Sequence, residues 1–359
     1  MKKQIQISAL TIIAVLFLSG RFDSTLSAQT LYGSLVGNVT DPSGAALPGV
    51  KVLAKNTDTG FNREVVANDR GAYIIHDLQA GRYDVTLTFP SFSTFTKSGV
   101  EVSNNAVIRV DVQMQLASAA EKITVTGAAE SLQTDRADVR SELGSKQLED
   151  LPVGGGRNYQ SLFKLVPGFT PPRGQNSLVS NPQEDLVAEV NGTTKSTNNT
   201  RIDGANNTHI WLPQHSAYVP PIEAIQQVNV VTNSMDAEQG LAGGAAISVT
   251  IKSGTNDLHG VGFEYNTNSH FQARNVFYAN PTLPKNIQNQ YGGTLGGPIV
   301  RNKLFFFVSE EETNRRTNVS RLVTIPTAAQ ESGDFSSFGT TIYDPLTGNA
   351  DGSARTPFA

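Results

Sequence analysis

In residues 290–309, QYGGTLGGPIVRNKLFFFVS, apolar and polar positions alternate up to a short turn at Arg301-Asn302, and the mostly apolar run KLFFFVS follows the turn. Successive side chains of a β-strand point to opposite faces, so Tyr291, Leu295 and Ile299 share one face. The opposite face carries Gln290, Thr294 and Pro298. Such a pattern favours a transmembrane β-hairpin with its apolar face outward and its polar face inward, and a hairpin of a soluble β-domain is the alternative.

The run just before this hairpin alternates in the same way. Val261, Phe263 and Tyr265 share one face, and Gly262, Glu264 and Asn266 share the other. We therefore expect the aromatic face of this strand to point outward as well.

The composition of the whole chain agrees with a β-rich protein. Only 17% of the 359 residues are charged and 32 are glycine, which suits strands joined by many turns. The net charge of -4 gives no reason to expect a nucleic-acid partner. The absence of cysteine from the sequence excludes disulfides, thiolate metal sites and cysteine nucleophiles within these residues.

Residues 1–28 have the features of a secretory signal. Lys2 and Lys3 precede an apolar run at Ile5–Leu18, and a small-residue stretch ends at Ala28. This run is short for a bilayer-spanning helix, so we predict an exported chain, with an uncleaved N-terminal anchor as the alternative.

Residues 31–117 contain short alternating runs separated by turn residues, which predicts a small β-sandwich. Glycines at positions 49, 71 and 81 fall where tight turns require positive φ. We expect one core face to be formed by Tyr73, Leu78, Tyr83 and Val85.

Within residues 31–117, the glycine, aspartate and apolar residues follow a spacing that is specific enough to compare with known domains. Gly37-x-Val39-x-Asp41-x-x-Gly44 leads into Leu47-Pro48-Gly49, and Asp69-x-Gly71-x-Tyr73 follows. The pattern resembles the carboxypeptidase regulatory-like domain, which implies a prealbumin-like sandwich without catalytic activity. Members are sometimes grouped with carbohydrate-binding-like folds. Phe89, Phe92 and Phe95 either pack on the sandwich or offer a sugar-binding surface.

Residues 118–255 have a mixed pattern that predicts a small α+β domain. Helices are expected at Ser145–Asp150 and at Asn158–Val166, where Leu162, Leu165 and Val166 share a face. The strand candidates are Leu186–Val190, Thr200–Asp203, Ile225–Thr232 and Ala246–Lys252.

The motifs of this block resemble those of TonB-dependent outer-membrane receptors of the Oar-like branch. Ile123-Thr124-Val125-Thr126-Gly127 is similar to the TonB box, a short strand that pairs with the periplasmic domain of TonB. An ordinary edge strand would look the same. Later segments resemble the plug domain of these receptors, and they contain Arg157-Asn158, Asn191-Gly192, Arg201 and Asp203-Gly204.

The resemblance implies the function and completes the predicted fold class. We expect a mainly β chain with a prealbumin-like sandwich, a plug, and at 256–359 the first strands of an incomplete transmembrane β-barrel, so the chain is expected to be an N-terminal fragment. The implied function is energy-coupled uptake of an unidentified extracellular solute across the outer membrane, with TonB and outer-membrane lipid as partners. The alternative is a secreted or surface carbohydrate-binding or adhesin-like protein without transport.

Enzymatic motifs are missing from the sequence. The glycine runs at 154–156 and 292–297 lack the spacing of phosphate-binding loops, and the five histidines form no HExxH motif. His209 and His215 flank Trp211, and we expect both histidines to be solvated. We therefore predict neither an enzyme nor a cofactor or metal site.

Overall fold

The computed structural model describes residues 32–117, 123–126, 137–153, 156–174, 184–235, 237–240, 242–274, 276, 283–318 and 323–357. The predicted signal at 1–28 lies outside these residues. Among the residues described, no helix combines the length and apolarity needed to cross a membrane. The chain forms two compact units, Met1–Tyr265 with Gln290–Thr313, and Asn266–Asn289 with Asn314–Ala359.

The first domain is a β-sandwich of two sheets. One sheet has the order β4-β1-β7, and β8 also pairs with β1. The other has the order β3-β2-β5-β6-β9. The strands are β1 (Gly33–Thr40), β2 (Lys51–Asn56), β3 (Asn62–Val66), β4 (Ala72–Leu78), β5 (Gly81–Thr88), β6 (Phe95–Val102), β7 (Val107–Arg109), β8 (Val112–Gln113) and β9 (Ile123–Thr126).

The core of the sandwich confirms the predicted alternation. Tyr73, Leu78, Tyr83 and Val85 are at most 2% exposed. The hydroxyl of Tyr73 donates to the carbonyl oxygen of Val110 at 2.6 Å, which satisfies the polar end of a buried ring. The glycines at 49, 71 and 81 all have positive φ, as predicted. Phe89, Phe92 and Phe95 are partly buried against the core, so the structure gives no support to a sugar-binding surface made by these rings.

The second domain contains a five-stranded sheet with the order β10-β15-β16-β13-β14 and a separate β11-β12 pair. Because it includes the segments that resemble a plug, it is called the plug domain below. Its buried face packs on Leu148, Tyr159 and Leu162. The elements are β10 (Val139–Gly144), α1 (Ser145–Asp150), β11 (Arg173–Gly174), β12 (Leu186–Val187), β13 (Asn199–Ile202), β14 (Ala205–Asn206), β15 (Ile225–Asn233), β16 (Ala246–Ile251) and 3-10 turns at Lys195–Thr197, Ile222–Ala224 and Ala237–Gln239.

The helix expected at Asn158–Val166 differs from the prediction in type. It is a 3-10 helix, Tyr159–Leu165, and Asn158 caps it by accepting a hydrogen bond from the backbone N–H of Gln160. A 3-10 helix has three residues per turn, and Leu162 is buried while Leu165 is 53% exposed. The expectation that Leu165 shares the buried face was therefore wrong.

The strands after the plug form a three-stranded sheet with the order β17-β18-β19. Tyr291, Leu295 and Ile299 are exposed while Gln290 is buried, which confirms the predicted alternation of β18. The strands are β17 (His259–Asn268), β18 (Asn286–Val300) and β19 (Leu304–Thr317). The remaining helices are α2 (Ala328–Glu331) and 3-10 turns at Ser269–Phe271 and Ser336–Phe338. The fold class is mainly β, as predicted.

Candidate functional site

The segment that resembles a TonB box forms an outer strand of the sandwich. Its backbone, Ile123–Thr126, pairs in parallel with β6, and Ile123 is opposite Phe95 while Thr126 is opposite Ser98. Gly127 lies outside the described residues. The structure thus gives this segment the extended backbone that strand pairing requires, while its role stays a prediction.

The chain that leads toward this strand runs beside the residues that precede β6. The backbone N–H of Ala117 donates to the carbonyl of Ser91 at 3.0 Å, and the N–H of Ser93 donates to the carbonyl of Gln115 at 2.9 Å. Phe92 and Leu116 form an antiparallel bridge between these hydrogen bonds. The sandwich therefore holds the chain close to the start of β6 before the box segment begins.

The turn after β6 binds the plug sheet. Ser103 Oγ donates to the carboxylate of Glu142 on β10 at 2.9 Å, and Asn104 Nδ2 donates to Thr250 Oγ1 on β16 at 2.7 Å. Arg140 Nη2 donates to the carbonyl of Asn105 at 3.0 Å. One short turn of the sandwich thus contacts both β10 and the interior of the plug sheet.

An arginine joins the plug domain to β17. Arg157 Nη2 lies 2.8 Å from Glu223 Oε1, and both side chains are at least 85% buried. The Arg157 guanidinium lies 3.8 Å from the ring centroid of Tyr265 on β17, and the Tyr265 hydroxyl donates to Glu223 Oε1 at 3.2 Å. A buried ion pair needs such additional partners to offset its desolvation.

The position of Tyr265 corrects the expectation for β17. The aromatic face of that strand was predicted to point outward, yet Tyr265 contacts the plug. The reason is chemical, because a tyrosine offers both a ring face to a cation and a hydroxyl to a carboxylate. An aromatic residue in an alternating strand therefore does not identify the outward face by itself.

The other plug-motif residues lie in separate turns rather than in one site. Asn191 and Gly192 have positive φ of 49° and 77°, and Asn191 Nδ2 donates to the carbonyl of Thr232 at 3.0 Å. Asp203 and Gly204 have φ of 46° and 85° in the turn between β13 and β14. Arg201 lies on β13 and Asn158 caps a 3-10 helix, so the geometry gives these residues roles in turns and strands.

A buried polar network in the plug was not predicted from the sequence. His215 Nδ1 lies 2.8 Å from Asp185 Oδ1, and the backbone N–H of Ser216 donates to Asp185 Oδ2 at 2.7 Å. Burial raises the pKa of Asp185, although the hydrogen bond from Ser216 and the charge of His215 oppose that shift. His215 is 2% exposed, so the expectation that it is solvated was wrong. Asp185 and His215 are 30 positions apart in the sequence, which left no local signal for this contact.

The network supports a loop, residues 207–218, that exposes apolar side chains. Ile210 and Trp211 are more than 80% exposed, and Asn207 closes the loop by bonding to both backbone groups of Tyr218. The loop is therefore constrained at its base, while Ile210 and Trp211 stay exposed to solvent.

Comparisons with known proteins agree with this organisation. A model described as an outer membrane beta barrel domain matches residues 250–359, and one described as a carboxypeptidase regulatory-like domain matches residues 34–115. The TonB-dependent transporter Oar of Myxococcus xanthus is 25% identical over 356 residues, which cover 90% of this chain and 32% of the transporter. The chain thus spans about a third of the length of that curated relative.

Two solved structures show weaker similarity. The siderophore receptor PirA from Acinetobacter baumannii matches with a TM-score of 0.36 and 21% identity, over 48% of this chain and 24% of the receptor. The Bacillus anthracis TIE protein matches with a TM-score of 0.21 and 19% identity, over 24% of this chain and 16% of that protein. The curated relative is a transporter, and the alternative of a carbohydrate-binding or adhesin-like protein is not supported.

Proposed function

We propose, from the relationship of this chain to the TonB-dependent outer-membrane receptors of the Oar-like branch, that it takes part in energy-coupled solute uptake. Its location is the outer membrane. The observation that carries the proposal is the order of parts along the chain. A strand-forming box is followed by a plug-like domain, and the Arg157–Glu223 pair of that domain packs on Tyr265, within the segment matched as a barrel.

The partner for energy coupling is the periplasmic domain of TonB, and the box is the segment that it binds. A strand partner recognises main-chain N–H and C=O groups, which makes a short β-branched segment sufficient for pairing. Pulling on the box would transmit force through residues 127–138 to β10. That strand is at the edge of the plug sheet and pairs with β15 alone among the described strands, so it is the first part of the plug that tension would detach.

The solute would enter from the outside and contact the extracellular loops together with the exposed end of the plug. The loop at 207–218 is the part of the plug that fits this role. It presents Ile210 and Trp211 to solvent, while its ends are fixed by hydrogen bonds to Asn207. A large exposed aromatic held on a constrained loop loses little entropy on binding a ligand.

A pulldown with the purified periplasmic domain of TonB tests the proposal. Replacement of Ile123–Gly127 in the full-length receptor by a glycine/serine segment of equal length should abolish capture. The matched control replaces Gly348–Gly352, an exposed turn region of the second compact unit, and should leave capture unchanged. Equal capture by the box variant and the unmodified receptor would contradict the assignment of the box.

A further inference from the structure

We infer that the outer edge of β6 is a docking surface for the box strand, and that β6 and TonB compete for that strand. The inference rests on the proposed function, because it concerns the availability of the same segment to the same partner. In the receptor without bound TonB, the sandwich would then keep the box strand paired with β6 and unavailable to TonB.

The strand order of the sandwich supports the docking surface. β6 pairs on one side with β5 in an antiparallel ladder and on the other side with β9 in a parallel one. Without β9, the outer side of β6 would be an exposed strand edge, which readily accepts another strand. The box fills this edge through four paired residues from Ile123 to Thr126.

The connection to the box favours docking. Nine residues separate Gln113, the last residue of β8, from Ile123. The early part of this connection, Gln115–Ala117, is already hydrogen-bonded beside Ser91 and Ser93, immediately before β6 begins. A short tether of this kind gives the attached strand an effective concentration on the order of millimolar at its docking site.

Competition follows from the path of the pulling force. While the box remains on β6, a pull on it is borne by the sandwich, and the turn after β6 is bound to the plug through Ser103 and Asn104. Tension can reach β10 through residues 127–138 only after the box has left β6. A TonB domain that delivers force to β10 along residues 127–138 must therefore take the strand from β6. A box that is docked nine-tenths of the time would bind TonB about tenfold more weakly than a free box.

Cysteine pairs in the full-length receptor test the docking directly, and this chain contains no cysteine of its own. Lys97 and Val125 are register partners, so the Lys97→Cys/Val125→Cys pair should close readily under mild oxidation. The matched control, Lys97→Cys/Thr124→Cys, is out of register by one residue, and its side chains point to opposite faces. It should close several-fold less. Equal yields from the two pairs would show that the box does not dock on β6 and would overturn the inference.

The same variant tests competition. The oxidised Lys97→Cys/Val125→Cys receptor should lose capture by the periplasmic TonB domain, and reduction should restore it. Undiminished capture by the oxidised protein would show that TonB joins the docked strand without displacing it, which overturns the competition. The disulfide yield requires no TonB, so failure of the box assignment in the glycine/serine replacement is distinguishable from failure of the docking.

Discussion

Arg157 and Tyr265 connect the plug domain to β17 through a cation–π contact of 3.8 Å, and Glu223 pairs with both residues. Arg157 has a positive φ of 51° and follows Gly156 with φ of 81°. A left-handed backbone at a non-glycine residue costs of order 1 kcal/mol and persists where surrounding contacts fix it. The ion pair and the tyrosine ring supply such contacts.

Arg157→Gln should loosen the plug within the receptor. The substitution leaves the carboxylate of Glu223 buried without its cationic partner, a loss that costs roughly 3–5 kcal/mol for a buried pair. Hydrogen–deuterium exchange of the purified receptor should show faster exchange at Ile222–Ala224 and in β15. Tyr265→Phe keeps the ring under Arg157 and removes only the hydroxyl, so it should lower the free energy of unfolding by only about 1 kcal/mol. Equal effects of the two variants would show that the charge pair is not the main contact.

The turn after β6 should couple the sandwich to the plug in a way that a double-mutant cycle can measure. Asn104→Ala removes the donor to Thr250 Oγ1, a contact between residues that are both less than 10% exposed. We expect Asn104→Ala to lower the free energy of unfolding by about 1–3 kcal/mol, and by less when Thr250→Val is already present. Hydrogen exchange at residues 103–105 and in β16 is the measurement. Strictly additive losses would mean that the two side chains do not interact.

Asp185→Ala should disorder the loop that carries Trp211. The variant leaves His215 Nδ1 and the backbone N–H of Ser216 without their buried acceptor, at about 1–3 kcal/mol for each unpaired group. Exchange at residues 207–218 should accelerate. Asp185→Asn retains one oxygen acceptor and should have a smaller effect. An unchanged loop in the alanine variant would show that the network does not support it.

The sequence predicted those elements in which local pattern and packing agree. Alternation placed Tyr83 and Val85 in the sandwich core, and the helix at Ser145–Asp150 has the bounds expected for it. Tyr265 was assigned to the wrong face because period-two alternation separates two faces without saying which one points inward. Leu165 was misplaced because apolar spacing does not distinguish a 3-10 helix from an α-helix at this length.

The contacts that define the candidate site depend on distant residues and could not be predicted from the sequence. The box strand was expected to be extended, but its partner β6 is about 28 residues earlier in the chain. The pairing of Asp185 with His215 likewise joins two loops. Turn residues were easier to identify, since Asn191-Gly192 and Asp203-Gly204 carry their positive-φ preference in their own sequence.

Glycine at position 292 should be required for assembly of the β17-β18-β19 sheet. A Cβ added at Gly292 would meet the carbonyl oxygen of Glu310 on β19 far inside contact distance and the Phe263 ring at 2.9 Å, whereas a Cβ at Gly262 would meet nothing within 4 Å. Backbone cannot move aside as a flexible side chain can, so Gly292→Ala should cost about 1–3 kcal/mol through overpacking. We expect less heat-modifiable receptor in outer-membrane fractions for Gly292→Ala and a normal amount for Gly262→Ala. Equal amounts of the two variants would mean that the close approach of β18 and β19 at Gly292 is not needed for assembly.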